Sequence, residues 1–321
     1  MSTKSVRVAS CSNDEGMPLT TKRVTSSDFV KAVSTLNVQL WNSEVAAALY
    51  GSVTPLLCSS PTGDVEGAWL CPTDASGAAR RTHRLLPYAS PWINKRLRSA
   101  ARIRVAGSLI DELMKSVTAI DLPTDPNFGE AAAFVERDIE LVPRYSRVLS
   151  GRRGEDRSGS YRPKVRNHLR VAESFFKVRD GKPETFVFER AIRGQCEAAV
   201  TARTRTGMLL GASSWPTFCL EAIDSLEDCR GQVFVVRNLN SAILMHSWFD
   251  RSAPRGVPTL LVDRAMAQAD CAWHTLDFDF EGSLIPSIDR FMKGFGASAE
   301  GYHQIRWVGG NQMAALPGDF G

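Results

Sequence analysis

Near the carboxyl end of the chain, apolar residues recur at positions i, i+3, i+4 and i+7, which predicts a half-buried helix. They are Ile288, Phe291, Met292 and Phe295. Residues 277–281 alternate acids with phenylalanines, a pattern typical of a strand with two unlike faces. Lys293 precedes a Gly-Phe-Gly sequence that can end a helix. The pattern therefore predicts a strand, a glycine-containing turn and a helix that ends beside a lysine.

The first half of the chain has the pattern of mixed helices and strands. Ser27 and Asp28 can cap a helix over residues 27–50, with an interruption possible near Asn37. Two prolines and two aromatic residues predict an ordered loop at residues 84–93. The other expected elements are strands at 54–58 and 67–71 joined by a turn at 61–64, a basic helix at 94–105, a helix or strand at 109–117 and a strand at 133–141.

The second half of the chain has a clearer order of elements. A helix over residues 161–178 has an apolar face, with arginines on its other side. A short polar turn at 238–241 predicts a hairpin between strands at 232–237 and 242–249. The other expected elements are helices near 186–203 and 218–226, a helix at 259–270, a strand at 273–280 and a last strand that contains Tyr302, Ile305 and Trp307.

Length and composition are those of a folded protein with about two domains. The chain has 321 residues, of which 43% are hydrophobic and 23% are charged. A polar stretch at residues 151–160 predicts a boundary between units at 26–150 and 151–321, after a flexible leader at 1–25. No apolar run reaches the length of about 18 residues needed to span a bilayer, and no secretion signal is evident, so we expect a cytoplasmic protein.

Cysteine and histidine spacing indicates neither disulfides nor a metal. The seven cysteines contain no C-x-x-C pair, and the five histidines have no ligand spacing. Triad, nucleophile-elbow, Walker and Rossmann patterns are also absent, which argues against hydrolases and nucleotide-binding enzymes of those types. We therefore expect no metal and no bound cofactor.

Basic residues are concentrated between positions 144 and 170, where nine lysines and arginines stand against two acids. Such a cluster predicts an anionic partner, although a solvated helix face produces the same pattern. Four of its members, Arg152, Arg153, Arg157 and Lys164, are our candidates for contact with a nucleic acid.

Two sequence patterns carry a resemblance to a known family. D-F-E-G-S at 279–283 and R-F-x-K-G-F-G at 290–296 resemble the last conserved block of the Fem peptidoglycan aminoacyltransferases, which have the GNAT acyltransferase fold. R-N-H-L-R-V-A at 166–172 is similar to a second Fem block. The resemblance implies an α/β protein of two tandem GNAT-like units with mixed sheets flanked by helices. It also implies an aminoacyl-tRNA donor and an amine acceptor on a peptide or small metabolite.

The resemblance assigns roles to several residues. Lys293 becomes a cation near the reacting ester or the terminal adenosine of the tRNA, although a helix-end lysine is also favoured by the helix dipole alone. Arg166 and Arg170 become cationic contacts to a substrate. The remaining candidates for substrate contact are Tyr88, Trp92, Trp248 and Ser283.

The strand pattern supplies candidates for a general base. Asp277, Asp279 and Glu281 share one face of a strand, and repulsion among them raises a carboxyl pKa. We assign Asp277 a structural role and keep Asp279 and Glu281 as candidates. His246, which shares a face with Trp248 on the preceding strand, is a competing base.

Coenzyme A enzymes of the GNAT type hold the pyrophosphate on a glycine-containing loop at a helix N-terminus. The corresponding residues 251–259, R-S-A-P-R-G-V-P-T, contain two prolines that lack amide donors, and the second glycine is missing. This favours aminoacyl-tRNA over coenzyme A as the donor. The alternatives are an acyl-CoA-dependent N-acyltransferase and a non-catalytic RNA-binding or scaffold protein with the same fold.

Overall fold

The computed structural model describes residues 18–80, 86–150, 157–182, 213–239, 241–250, 252–274, 277–281 and 286–309. Thirteen strands in these residues form two sheets. They are β1 (Thr20–Arg23), β2 (Val53–Ser59), β3 (Val65–Pro72), β4 (Ala79–Arg80), β5 (Trp92–Ile93), β6 (Ala119–Pro123), β7 (Glu140–Ser150), β8 (Lys177–Gly181), β9 (Thr217–Ile223), β10 (Cys229–Asn238), β11 (Ser241–Phe249), β12 (Asp277–Asp279) and β13 (Ser298–Val308).

The helices flank these sheets, as the α/β expectation requires. They are α1 (Ser26–Val33), α2 (Glu44–Tyr50), α3 (Ser99–Met114), α4 (Ala132–Val135), α5 (Pro163–Phe175), α6 (Val257–Trp273) and α7 (Pro286–Gly294). Short 3-10 helices occupy Leu40–Asn42 and Arg157–Ser160. Within the described residues, no helix combines the length and the apolar character that crossing a membrane requires.

The larger sheet unites strands from both halves of the chain. Its nine strands have the order β4-β6-β13-β7-β12-β11-β10-β9-β8, and the smaller sheet has the order β1-β2-β3-β5. The last strand of the described chain, β13, pairs antiparallel with both β6 and β7. Strands on either side of residues 151–160 therefore belong to one continuous sheet.

Two hydrophobic clusters cover different faces of β11 and β12. The first contains Tyr88, Phe234 and Trp248, together with residues of α1 and α2. The second contains Phe278 and Phe280 with residues of α5, α6 and α7. Because side chains alternate along a strand, the two clusters lie on opposite faces of the sheet at β11 and β12.

The hairpin, the strand pair β2–β3, the helix around Lys293 and the last strand confirm their predictions. Four other predictions are wrong in type or extent. The expected helix at 27–50 is two helices, and the break between them contains Asn37, near which an interruption was expected. Within the break, the Asn42 side chain donates to the Ser90 carbonyl oxygen at 2.9 Å and accepts from the Leu70 amide at 2.9 Å. Residues 20–23 of the expected leader form β1, which pairs with β2, and residues 1–17 lie outside the described residues. The expected helix at 94–105 and the expected helix or strand at 109–117 form the single helix α3.

Three further segments differ from their predictions for tertiary reasons. The expected helix near 218–226 is β9, since β8 and β10 pair with both of its edges. The expected strand at 133–141 divides into α4 and the start of β7, separated by Asp138 at φ 55°. The expected strand at 273–280 is shortened, because α6 continues to Trp273 and ends at a left-handed His274. The expected helix near 186–203 lies outside the described residues.

Candidate functional site

The larger sheet opens between β11 and β12. Among the described residues, the two strands pair in parallel at three positions, the last of which joins Ile243 to Asp279. β11 continues to Phe249, whereas the Phe280 amide donates to the Arg147 carbonyl oxygen of β7 at 2.9 Å. A register shift on β10 leaves Met245 without a partner in the β10–β11 ladder. The strands therefore part beyond Asp279, and a β-bulge lies beside the opening.

Asp279 is the buried polar residue at the point where the strands part, with 5% of its surface exposed. One carboxylate oxygen accepts from the Tyr88 hydroxyl at 2.7 Å, and the other accepts from the Ser146 hydroxyl at 2.5 Å. The second oxygen also accepts from the Glu281 amide at 2.8 Å. Glu281 itself has a left-handed backbone, with φ 61°. The carboxylate therefore fixes strands β7 and β12 and the loop containing Tyr88 around one point.

Burial dominates the electrostatics of this group. Desolvation raises the pKa of Asp279, although hydrogen bonds from Ser146, Tyr88 and the Glu281 amide oppose the rise. Desolvation also raises the pKa of Tyr88 well above its ordinary value, and the Asp279 charge adds to that rise. A carboxylate with a raised pKa is a stronger proton acceptor than an exposed one, so this pair has the chemistry of a general base held by a hydroxyl donor.

His246 and Trp248 lie on the same side of the sheet as Tyr88. The His246 ring stacks on Phe234, with centroids 6.4 Å apart and planes at 11°. Phe234 and Trp248 belong to the hydrophobic cluster that contains Tyr88. The structure therefore brings Asp279, Tyr88, His246 and Trp248 to one face of the opened sheet.

Lys293 lies on the opposite side. Its ammonium is 2.7 Å from Asp289, and the same carboxyl group accepts from Arg147 Nε at 2.6 Å. These two cations hold the pKa of Asp289 below its ordinary value. Arg147 follows Ser146 on β7, so its side chain leaves the strand on the other face from the group that binds Asp279. Lys293 and Asp279 are thus not brought together on one face.

The basic start of α5 adjoins this second face. The Arg162 amide donates to the Gly294 carbonyl oxygen at 2.8 Å, at the end of the Lys293 helix. Lys164, Arg166 and Arg170 are exposed along α5. Arg166 donates to the Tyr161 carbonyl oxygen, and Arg170 donates to Asn167 at 2.9 Å.

Further cations extend the basic face of α5. The pKa of His168 is lowered by burial first and then by the charges of Lys164 and Arg255, so Arg255 belongs to the same electropositive surface. Arg157 is half-buried and donates to the Met266 carbonyl oxygen at 3.4 Å. The predicted contacts Arg152, Arg153 and Ser283 lie outside the described residues.

The start of α6 does not fit the pyrophosphate loop of coenzyme A enzymes. Gly256 precedes the helix with φ 112°, and a Cβ there would stand 2.5 Å from the His168 carbonyl oxygen. α5 therefore packs directly over the N-terminus of α6. Pro258 also removes one of the first amide donors, so the start of α6 lacks the full set of amides that binds a phosphate in such loops.

A cavity of about 360 Å³ lies at the other end of the β11–β12 pair. Trp92 lines it, as does Asp277, which pairs with Ser241 at the start of both strands. The loop between Tyr88 and Trp92 thus runs from Asp279 to the cavity. Sequence reasoning missed Ser146 and the cavity residue Asp125, because neither stands in a motif and each acquires its partner only through the fold.

The comparisons agree on fold. No family model matches the chain, and no curated protein sequence matches it. Among solved structures, FemX has a TM-score of 0.63 at 10% identity, over 88% of this chain and 96% of that chain. L-PGS from Bacillus licheniformis has a TM-score of 0.58 at 6% identity, over 91% and 94% of the two chains.

A third similar structure is a tandem GNAT protein from the clavulanic acid biosynthesis pathway. Its TM-score is 0.52 at 11% identity, over 90% of this chain and 98% of that chain. All three likenesses extend over nearly the whole length of both chains. The chain therefore has a tandem GNAT fold of the Fem type.

Proposed function

We propose that the chain is an aminoacyltransferase that moves an aminoacyl group from aminoacyl-tRNA to an amine of a peptide or small metabolite. The observation that carries this proposal is the parting of β11 and β12 at Asp279, inside a fold similar to that of FemX. In the proposed reaction, the activated acyl group lies in this opening, where backbone amides without a strand partner can donate to its carbonyl oxygen. The buried carboxylate at its edge gives the site a proton acceptor.

The proposed reaction is direct attack without a covalent enzyme intermediate. The neutral amine attacks the ester carbonyl carbon, so that a C–N bond forms and the ester C–O bond breaks. The nitrogen loses one proton, and the terminal ribose oxygen of the tRNA gains one. Asp279 is the proposed acceptor of the proton, because desolvation raises its pKa and its Tyr88 and Ser146 contacts fix its position.

The second face of the sheet is the proposed side of approach for tRNA. Arg147 and Lys293 share a single acid, Asp289, so this cluster keeps an excess positive charge. The exposed cations of α5 adjoin it through the contact between Arg162 and Gly294. These cations can bind the phosphate backbone of tRNA, and the aminoacyl ester at the end of the tRNA then lies at the opening between β11 and β12.

Coenzyme A as the acyl carrier is the second candidate. Its support is the similarity in fold to the tandem GNAT protein of the clavulanic acid pathway, whose structure was determined without AcCoA. Against it stands the start of α6, where Pro258 and the close packing of Gly256 on α5 leave no standard pyrophosphate loop. The structure of that segment therefore favours the tRNA donor.

Binding experiments separate the two donors. Aminoacyl-tRNA is expected to bind with an affinity that falls steeply with salt, and acetyl-CoA is expected to give no thermal stabilisation. Stabilisation by acetyl-CoA without salt-sensitive tRNA binding would replace the proposal with the second candidate. Binding of tRNA without transfer of any aminoacyl group would favour the non-catalytic RNA-binding alternative.

A further inference from the structure

The cavity at the start of β11 and β12 has the size of a small-molecule site. Its volume of about 360 Å³ falls near the lower end of the range of about 300–1,000 Å³ typical of ligand pockets. Residues from both halves of the chain line it, among them Trp92 and Asp125 from the first half and Asn238 and Asp277 from the second. A cavity of this size suits a free metabolite better than a large carrier-linked precursor.

The cavity lining includes a buried carboxylate, Asp125, with remaining acceptor capacity. Asp125 is 5% exposed, and one of its oxygens accepts from the Asn127 amide at 2.6 Å. The other oxygen accepts from the Ser90 hydroxyl at 3.0 Å and from the Gln39 amide at 3.5 Å, which is long for a hydrogen bond. A carboxylate offers about four acceptor positions, so Asp125 has room for a donor from the cavity.

Burial raises the pKa of Asp125, which reflects the cost of holding this charge out of water. The positive charge of Lys95 partly offsets that cost. Asp277 and the 7% exposed Glu130 add two more acids to the lining. A ligand with an ammonium group would occupy the remaining acceptor position of Asp125 and place a positive charge beside this buried carboxylate.

Two cations also line the cavity. Lys95 is exposed and lines it, and Arg102 lines it next to Glu130. Arg102 Nε lies 3.2 Å from Glu130 Oε1, yet its N–H makes no hydrogen bond within the described part of the chain. Two cations and three acids around one small volume match a ligand that carries both signs of charge.

We propose that this cavity binds a small zwitterion, a free amino acid or a metabolite of the same kind, with its ammonium at Asp125 and its carboxylate towards Lys95. Its role as the acyl acceptor rests on the proposed transferase function and requires a second, neutral amine on the ligand, because the ammonium held at Asp125 has no lone pair with which to attack the ester. Asp277 lines the cavity, and Asp279 follows two residues later on the same face, about 7 Å along the strand. A ligand held in the cavity is therefore close to the opening of the sheet.

Isothermal titration calorimetry with the full chain tests the inference. The probes are the free L-amino acids, each with its methyl ester, which lacks the carboxylate, and its N-acetyl form, which lacks the ammonium. We expect at least one amino acid to bind and both of its derivatives to bind at least about tenfold more weakly. Asp125→Asn is expected to weaken binding by about 10- to 100-fold, as for the loss of a charged hydrogen bond.

Matched variants make the outcome specific. Lys95→Gln changes an exposed residue, so it remains informative if Asp125→Asn fails to fold. Asp64→Asn and Lys31→Gln change exposed charges away from the cavity lining and are expected to leave the affinity unchanged. The inference is overturned if no amino acid binds, or if binding survives both cavity variants.

The transfer reaction is read separately from binding. Amino-acid binding without aminoacyl transfer would keep the cavity site and reject the proposed function. Transfer to a larger amine acceptor, with no binding of any amino acid, would keep the function and reject the cavity site.

Discussion

Replacing Tyr88 with phenylalanine isolates the hydrogen bond at the centre of the candidate site. The Tyr88 hydroxyl donates to Asp279 at 2.7 Å, and its ring packs edge-on against Trp41 and Tyr302 with centroids 5.3 and 5.4 Å away. Phenylalanine keeps those ring contacts and removes only the hydroxyl. Asp279 is then left with one donor fewer in a site that excludes water.

The expected loss follows from the charge and burial of the acceptor. A hydrogen bond to a charged group contributes about 1.5–3 kcal/mol, and leaving a buried partner unsatisfied costs a comparable amount. We therefore expect Tyr88→Phe to lower the free energy of unfolding by about 2 kcal/mol at neutral pH. Because Tyr88 is 2% exposed, solvent screening does not reduce this figure much.

Urea denaturation monitored by circular dichroism measures the loss. Tyr145, which is 66% exposed, provides the control, and Tyr145→Phe is expected to change stability by less than about 0.5 kcal/mol. A Tyr88→Phe loss no larger than that of the control, at equal denaturant slope, would refute the bond to a charged Asp279. The same result would also contradict the proposal that Tyr88 positions Asp279 as the base.

Three other predictions follow from the same contacts. Burial raises the pKa of Asp279, so protonation of this carboxyl group favours the folded chain. This contribution to stability is complete below the pKa of Asp279 in the unfolded chain, and it is lost as pH rises through the pKa of Asp279 in the folded chain. Asp279→Asn is expected to reduce the fall in stability across that window in denaturation curves at several pH values, and an unchanged slope contradicts this. Lys164→Gln is expected to reduce the slope of log affinity for tRNA against log salt by about 0.7–0.9, whereas Lys31→Gln leaves it unchanged; equal slopes for the two variants would remove α5 from the tRNA site. Gly256→Ala is expected to destabilise the chain by about 1–3 kcal/mol more than Gly77→Ala. Both glycines have positive φ, but only Gly256 has a neighbour within 4 Å of the added Cβ, so similar losses in thermal or urea unfolding would contradict the packing of α5 over α6.

Local sequence was sufficient to predict an element wherever its apolar residues follow one clear periodicity. The hairpin β10–β11 alternates across a short polar turn, and α7 has its apolar residues on one stripe. The motif around Lys293 also pointed to the tandem GNAT fold, which the solved structures of similar fold support. These features depend on residues close together in the chain.

The remaining features depend on contacts between distant segments. β9 resembled a helix in sequence and became a strand because β8 and β10 pair with it. The face on which Lys293 lies depends on its shared carboxyl partner with Arg147, which is far from it in sequence. Ser146 has no sequence signal of its own, since only the pairing of β7 with β12 brings it to Asp279. Such partners are set by tertiary packing and are invisible to periodicity.

Transfer of a labelled aminoacyl group tests the central claim most directly. The chain is incubated with tRNA charged with radiolabelled amino acids and a set of amine acceptors, and amide products that resist mild base are counted. We expect label to move from tRNA to an amine, and Asp279→Asn to reduce kcat/KM by about 10²- to 10⁴-fold while tRNA binding is retained. Label that stays on tRNA, while acetyl-CoA acetylates one of the same amines, would contradict the account.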